Sequence, residues 1–255
     1  MKKLLLSSLL LLLFTAVRAQ EDQDVKKAPI DFLDLFDSDR REKENVRTNT
    51  NLVWAIGWNQ ALGDGNGIGD DYRFWGSGVF DIGLEFSTRL QPKDDLFRFN
   101  YGLDLRFQSL RITDNRQFAT NNNITDLVPV GIDTDRSRFY QFSLVVPLHI
   151  EIGRRDLKTY KNGIKRYHDD DAFVVGLGGY LGYTTTSTQE LKFEREGRDV
   201  TTTVTNDFEI NNFNYGLSIY AGWYDFQIFA RYGLNDILKD SPIQQQYFSF
   251  GFRFR

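Results

Sequence analysis

Residues 96–111 read LFRFNYGLDLRFQSLR. Phe97, Phe99, Tyr101, Leu103, Leu105 and Phe107 alternate with Arg98, Asn100, Gly102, Asp104, Arg106 and Gln108. Successive side chains of a strand point to opposite faces, so this segment has one apolar face and one face that carries charge. The period is two, which is the period of a strand and not of a helix.

The same pattern recurs on both sides. Phe80, Ile82, Leu84 and Phe86 alternate with Asp81, Gly83, Glu85 and Ser87. Phe142, Leu144, Val146, Leu148, Ile150 and Ile152 alternate with Gln141, Ser143, Val145, Pro147, His149 and Glu151. Further segments carry Leu52 to Trp58, Phe173 to Tyr183, Phe213 to Trp223 and Phe226 to Tyr232, and the last places Phe248, Phe250, Phe252 and Phe254 against Tyr247, Ser249, Gly251 and Arg253. Eight such segments predict an all-β fold, an eight-stranded antiparallel up-and-down β-barrel.

Two barrels share this alternation. A soluble calycin-type barrel turns its apolar face inward, whereas a transmembrane barrel turns it toward lipid. The interior of eight strands is too narrow for all the Phe, Leu and Ile on the apolar faces. The opposite positions hold Gly102, Gly176, Gly178, Gly182, Gly216, Gly222 and Gly251, which leave room for Arg98, Arg106, Arg231 and Arg253. The transmembrane form is therefore expected, with a polar core of Asp81, Glu85, Arg98, Asp104, Arg106, His149, Glu151, Arg231 and Arg253 inside it, Arg89 adjoining. Charges confined in so narrow a space have to pair and hydrogen-bond, so the expected role of this core is to close the pore.

Connection lengths alternate too. Residues 91–94 and the turn near Tyr224-Asp225 are tight, while 63–73, 114–136, 187–211 and 235–245 are longer and polar, as periplasmic turns and exterior loops are. Residues 156–171 form a long connection on the short side. In 187–211 the alternation runs on through Leu191, Phe193, Val200, Thr202 and Val204 around Glu196-Gly197-Arg198. This predicts a hairpin in which the fifth and sixth strands project as a two-stranded ribbon, whose edges can accept a strand from another protein.

The chain opens with Met1-Lys2-Lys3, an apolar run from Leu4 to Val17, and Ala19 before the polar switch at Gln20. Residues 1–19 are expected to be a secretory signal peptide, 20–48 a charged periplasmic tail and 49–255 the barrel. Without Lys2, Lys3 and Arg18 the chain has 28 basic against 35 acidic groups, so nucleic acid is not an expected partner. With no cysteine there is no disulfide, thiolate metal site, catalytic thiol or lipoprotein anchor.

No cofactor, metal or catalytic group is expected. The phrase Gly63-Asp-Gly-Asn-Gly-Ile-Gly-Asp-Asp71 resembles half a calcium loop, but Ile68 stands at a ligand position and no bidentate Glu follows. Lipid-modifying barrel enzymes need an activated nucleophile near the outer leaflet, commonly Ser with His. His149 is expected to face inward low in its strand and His168 lies in a short-side connection, so neither reaches that leaflet.

The Met-Lys-Lys lead with Gln20, the phrase Tyr232-Gly-Leu-Asn-Asp-Ile-Leu238 and the closing Tyr247-Phe-Ser-Phe-Gly-Phe-Arg-Phe-Arg255 resemble the Bacteroidetes outer-membrane β-barrel family, often labelled PorT-like. The resemblance spans residues 50–255 and implies the cell outer membrane, with lipid and lipopolysaccharide around the wall and the barrel-assembly machinery reading the C-terminal strand. Here Arg255 follows Phe254, where that signal ordinarily ends on an aromatic. The expected function is a non-enzymatic structural or interaction role, in secretion or adhesion, with protein partners at exterior loops or the periplasmic tail; the alternatives are a small lipid-modifying enzyme and a narrow porin.

Overall fold

The computed structural model describes residues 47–91, 94–159, 165–168, 172–223 and 225–255. The expected signal peptide and the tail through residue 46 lie outside the described residues. Every element among them is a strand. Eight strands close into a ring: β1 (Thr48–Gly63), β2 (Gly78–Arg89), β3 (Phe97–Ile112), β6 (Arg136–Ile152), β9 (Phe173–Arg195), β11 (Phe213–Trp223), β12 (Phe226–Gly233) and β13 (Gln245–Phe254). Each pairs antiparallel with its chain neighbour in the ring, and β13 returns to β1. Five shorter strands sit in the connections: β4 (Arg116–Asn121) with β5 (Ile124–Pro129), β7 (Asp156–Thr159) with β8 (Lys165–His168), and β10 (Arg198–Thr205).

The registers set the ring's geometry. Stepping across partners from Thr50 through Phe86, Tyr101, Leu148, Gly179, Leu217, Tyr232 and Phe248 returns to Gln60, ten residues further along β1. With about 3.4 Å per residue and about 4.8 Å between strands, that stagger tilts the strands by roughly 40°, the usual inclination of a closed sheet. The β7–β8 pair and the ends of the short connections lie at one end, the turn end; 64–77, 113–135, 196–212 and 234–244 lie at the other, the loop end.

The alternation maps onto the ring as the sequence requires. Leu103, Leu217 and Ile228 point outward and are 54%, 58% and 58% exposed, while Asp81, Arg98 and Glu151 point inward and are 3%, 2% and 0% exposed. Interior space is made where glycine stands opposite a ring. A Cβ on Gly176 would lie 2.1 Å from Cζ of Tyr220, so only glycine lets that phenol lie across the interior.

Two features differ from the expectation. Thr185 is an unpaired bulge, because Phe142 pairs with Thr186 but Ser143 with Thr184. The extra residue reverses the parity of β9, and beyond it Ser187 and Gln189 face inward. The expected hairpin is present, with Arg195 paired to Arg198 and positive φ at Glu196 and Gly197, the signature of a type I′ turn. Its return limb is not the sixth strand, however. β10 ends at Thr205, Phe208 and Ile210 turn into a buried cluster, and β11 starts afresh at Phe213. Nor is the ribbon two-stranded, since β6 pairs with β9 as far as Arg136 opposite Lys192.

Candidate functional site

The interior holds two charged clusters. At the turn end Glu151, fully buried, accepts from Arg155 on one oxygen and from Arg255 (2.6 Å), Tyr220 Oη (2.7 Å) and Asn100 (2.9 Å) on the other. Arg255 also reaches Glu85 at 2.7 Å, and Arg253 bonds both Glu85 and Gln227. Asp95 joins Arg98 at 2.6 Å and Arg155 at 3.4 Å. Nearer the loop end, Asp81 receives Arg106 (3.1 Å) and Arg231. The arginines also lie on rings: Arg106 4.7 Å from the Tyr180 centroid, Arg253 4.4 Å from Tyr220. Where water cannot hydrate a charge, this density of ion pairs and ring contacts compensates the guanidinium groups for the hydration they lose.

All nine expected core residues face this interior; eight are buried and the Arg231 side chain is 10% exposed. Seven of them join the bonded clusters, and two do not. Asp104 lies against Gly83 without an ion pair or hydrogen bond among the described residues, and His149 packs edge-on to Tyr220 at 5.0 Å with neither ring nitrogen bonded. Both line a cavity of about 10 Å³ together with Asp81 and Arg231. That is room for about one water, too little for a ligand.

Sequence reasoning missed Asp95, Asn100, Arg155, Tyr220, Gln227 and Arg255 as members of the network. Asn100, Tyr220, Gln227 and Arg255 carry the inward parity of their strands and could have been found from it. Asp95 and Arg155 stand in connections where no parity exists.

Above the charges, Gln108 donates to Gln141 at 2.7 Å, and Tyr247 donates to the same carbonyl. The loop end is then sealed by a small apolar core of Ala61, Tyr72, Leu110, Ile112, Phe118, Phe139, Phe208, Ile210, Ile237 and Leu238. Tyr72 donates to Gln245 (2.8 Å), which itself donates to Asp71. Burial first, and the Asp71 carboxylate beside it, hold the Tyr72 phenol above its ordinary range. Four connections supply this cap, so segments expected to be polar loops are folded together over the mouth.

The outer wall is an apolar belt between two aromatic rims. Ten residue steps from Phe97 to Phe107, at about 3.4 Å each and inclined by about 40°, project to roughly 26 Å. Trp54 stacks on Phe254 (4.0 Å) and Phe173 meets Trp223 (5.8 Å) toward the turn end. Trp58 meets Phe74 (5.5 Å), Trp75 (6.0 Å) and Phe250 (5.6 Å) toward the loop end. Among the described residues, no helix is long and apolar enough to cross a membrane, and no group of three His, Cys, Asp or Glu is placed to hold a metal. No family model matches the chain, and no curated protein matches it.

Proposed function

We propose that the chain is a transmembrane β-barrel of the bacterial outer membrane, a non-catalytic structural or interaction protein related to the PorT-like family. The observation that carries this reading is the inversion of polarity: an exposed apolar wall roughly 26 Å tall with aromatic rims, around a charged interior in which most of the ionic groups are paired. Lipid is the medium in which that distribution is stable, since in water the exposed leucines and buried arginines would each be on the costly side.

In this reading the loop end faces outward and the turn end the periplasm, with β13 as the strand offered to the assembly machinery. His149, inside the ring beneath the cap, is out of reach of a lipid on the wall, which favours a non-catalytic role over a lipid-modifying enzyme. β10 is last in the strand order and almost wholly exposed, so among the described residues its outer edge offers backbone donors and acceptors to a strand from a protein partner.

The test is cell fractionation of the full chain, with electrophoresis of boiled and unboiled samples to reveal a heat-sensitive folded form. Wild type is expected in the outer membrane. Leu103→Arg, in mid-belt, costs about 2–4 kcal/mol and should abolish the folded form. Recovery of wild type as a soluble protein, with Leu103→Arg silent, would refute the membrane reading.

A further inference from the structure

Just beyond the aromatic rim at the loop end, one sector of the outer wall is cationic. Arg111 and Arg138 are direct cross-strand partners on β3 and β6. Both share the outward parity of Phe107 and Tyr140 on their own strands, their inward neighbours Leu110, Ile112, Ser137 and Phe139 being buried. Arg73 joins the row, its amide donating to the Arg111 carbonyl at 2.8 Å and its side chain exposed. Gly76 leaves the space the guanidinium groups occupy: a Cβ there would lie 2.8 Å from Cδ of Arg111 and 3.3 Å from Nη2 of Arg138. Arg111 and Arg73 make no ion pair among the described residues, and Glu190, the cross-strand partner of Arg138, is bridged instead to Arg136 at 3.6 Å.

Directly beneath lies an apolar groove of about 460 Å³, walled by Ile56, Phe80, Phe107, Ser109, Tyr140 and Phe142. Ser109 and Tyr140 are paired one outward row below Arg111 and Arg138, about 7 Å along the strands. Tyr140 belongs to both features, since its hydroxyl accepts from Nη1 of Arg138 at 3.0 Å while its ring lines the groove. Clustered guanidinium groups call for an anion with several oxygens, and phosphate fits their fork geometry. A groove opening onto the belt and continuous with that row calls for an apolar chain attached to the anion.

We propose that this sector binds an acylated, phosphate-bearing lipid of the leaflet at the loop end. Its phosphate lies against Arg111 and Arg138 with Arg73 at the flank, and one acyl chain fills the groove. The inference rests on the membrane reading above and adds to it a defined lipid site, whereas the rest of the wall is only solvated by lipid.

The experiment uses the full mature chain refolded into phosphatidylcholine nanodiscs, titrated with bis-phosphorylated lipid A or its dephosphorylated form, with bound lipid counted by native mass spectrometry. Wild type should retain the phosphorylated lipid preferentially. Arg111→Gln combined with Arg138→Gln should weaken that binding by about tenfold or more, two charge-assisted contacts being lost. Ser109→Trp, which fills the groove, should weaken both lipids, and Arg154→Gln, exposed at the turn end, neither. Equal retention of the two lipids by wild type, or unchanged binding by the double arginine variant, would overturn the site while leaving insertion intact. A chain that never enters the nanodisc would overturn the membrane reading, and the lipid site with it.

Discussion

Asp81 and Asp104 provide a sharp test of the interior. Both are inward and buried, at 3% and 6% exposure, and sequence parity does not distinguish them. Their bonds do. Asp81 takes Arg106 on both oxygens, at 3.1 and 3.2 Å, and Arg231 on one of them, whereas Asp104 has no bonded partner among the described residues. Asp81→Ala therefore leaves two buried guanidinium groups without their carboxylate. Breaking a buried pair in this way costs about 3–5 kcal/mol, and the lower end is expected because the neighbouring Asp104 carboxyl, in the same cavity lining, can partly replace the lost one. Asp104→Ala breaks no bond and should cost less than about 1 kcal/mol. With a urea slope of about 2 kcal/mol per molar, the two changes should lower the unfolding midpoint by about 1.5 M and less than about 0.5 M. The assay is urea unfolding of the chain refolded in lipid vesicles, followed by tryptophan fluorescence. In the double variant that substitute is gone as well, so its loss should exceed the sum of the two single-variant losses by about 1 kcal/mol. Equal single-variant costs, or strict additivity, would refute this account of the interior.

Reconstituted in planar bilayers, the chain should show no steady conductance, because charge pairs, the glutamine layer and the apolar cap fill the ring in succession; stable channels would contradict that packing. Trypsin applied to intact cells should spare Lys192, which is held between β6 and β10 and bridged to Asp199 at 3.0 Å, and should cut first at the hairpin tip near Arg195. Early cleavage at Lys192 would contradict the paired arrangement.

Strand number, chain order and facing were legible because a period of two leaves little freedom once eight segments share it. The same rule picked out Glu85, Glu151 and Arg253 from parity alone. It could not reveal which carboxylate meets which guanidinium, because partners such as Arg255 and Glu85 stand on strands far apart in sequence and meet only when β13 closes on β1. Arg255 looked like a departure from a terminal aromatic. In the structure it continues the inward line of Ser249, Gly251 and Arg253 and bonds two glutamates. The bulge at Thr185 left no mark in composition, since Thr184, Thr185 and Thr186 are alike and any of them could be the extra residue. Phe208, Ile210, Ile237 and Leu238 were hidden for another reason: each is a brief apolar interruption of a polar segment, too short to show a period, and only tertiary contact joins them into the cap.

These pieces limit where recognition can occur. An interior confined within eight strands, and occupied by Tyr220 across Gly176, leaves no ligand-sized space among the described residues, and the surfaces that remain include the wall and the loop end. β9 runs 12 residues beyond Tyr183, which at about 3.4 Å per residue and about 40° of tilt carries it roughly 30 Å past the rim. It does not stand there alone: β6 supports one edge up to Lys192 and β10 covers the other. The free edge is thereby passed to β10, whose sequence RDVTTTVT combines β-branched residues with a charged start. An exposed edge of this kind invites indiscriminate pairing unless something opposes it, and natural sheets use short length and charge for that purpose. β10 has both, eight residues with Arg198 and Asp199 at its tip. A partner strand of the kind proposed above would therefore have to answer those charges before it could continue the sheet, which a bare threonine ribbon would not require.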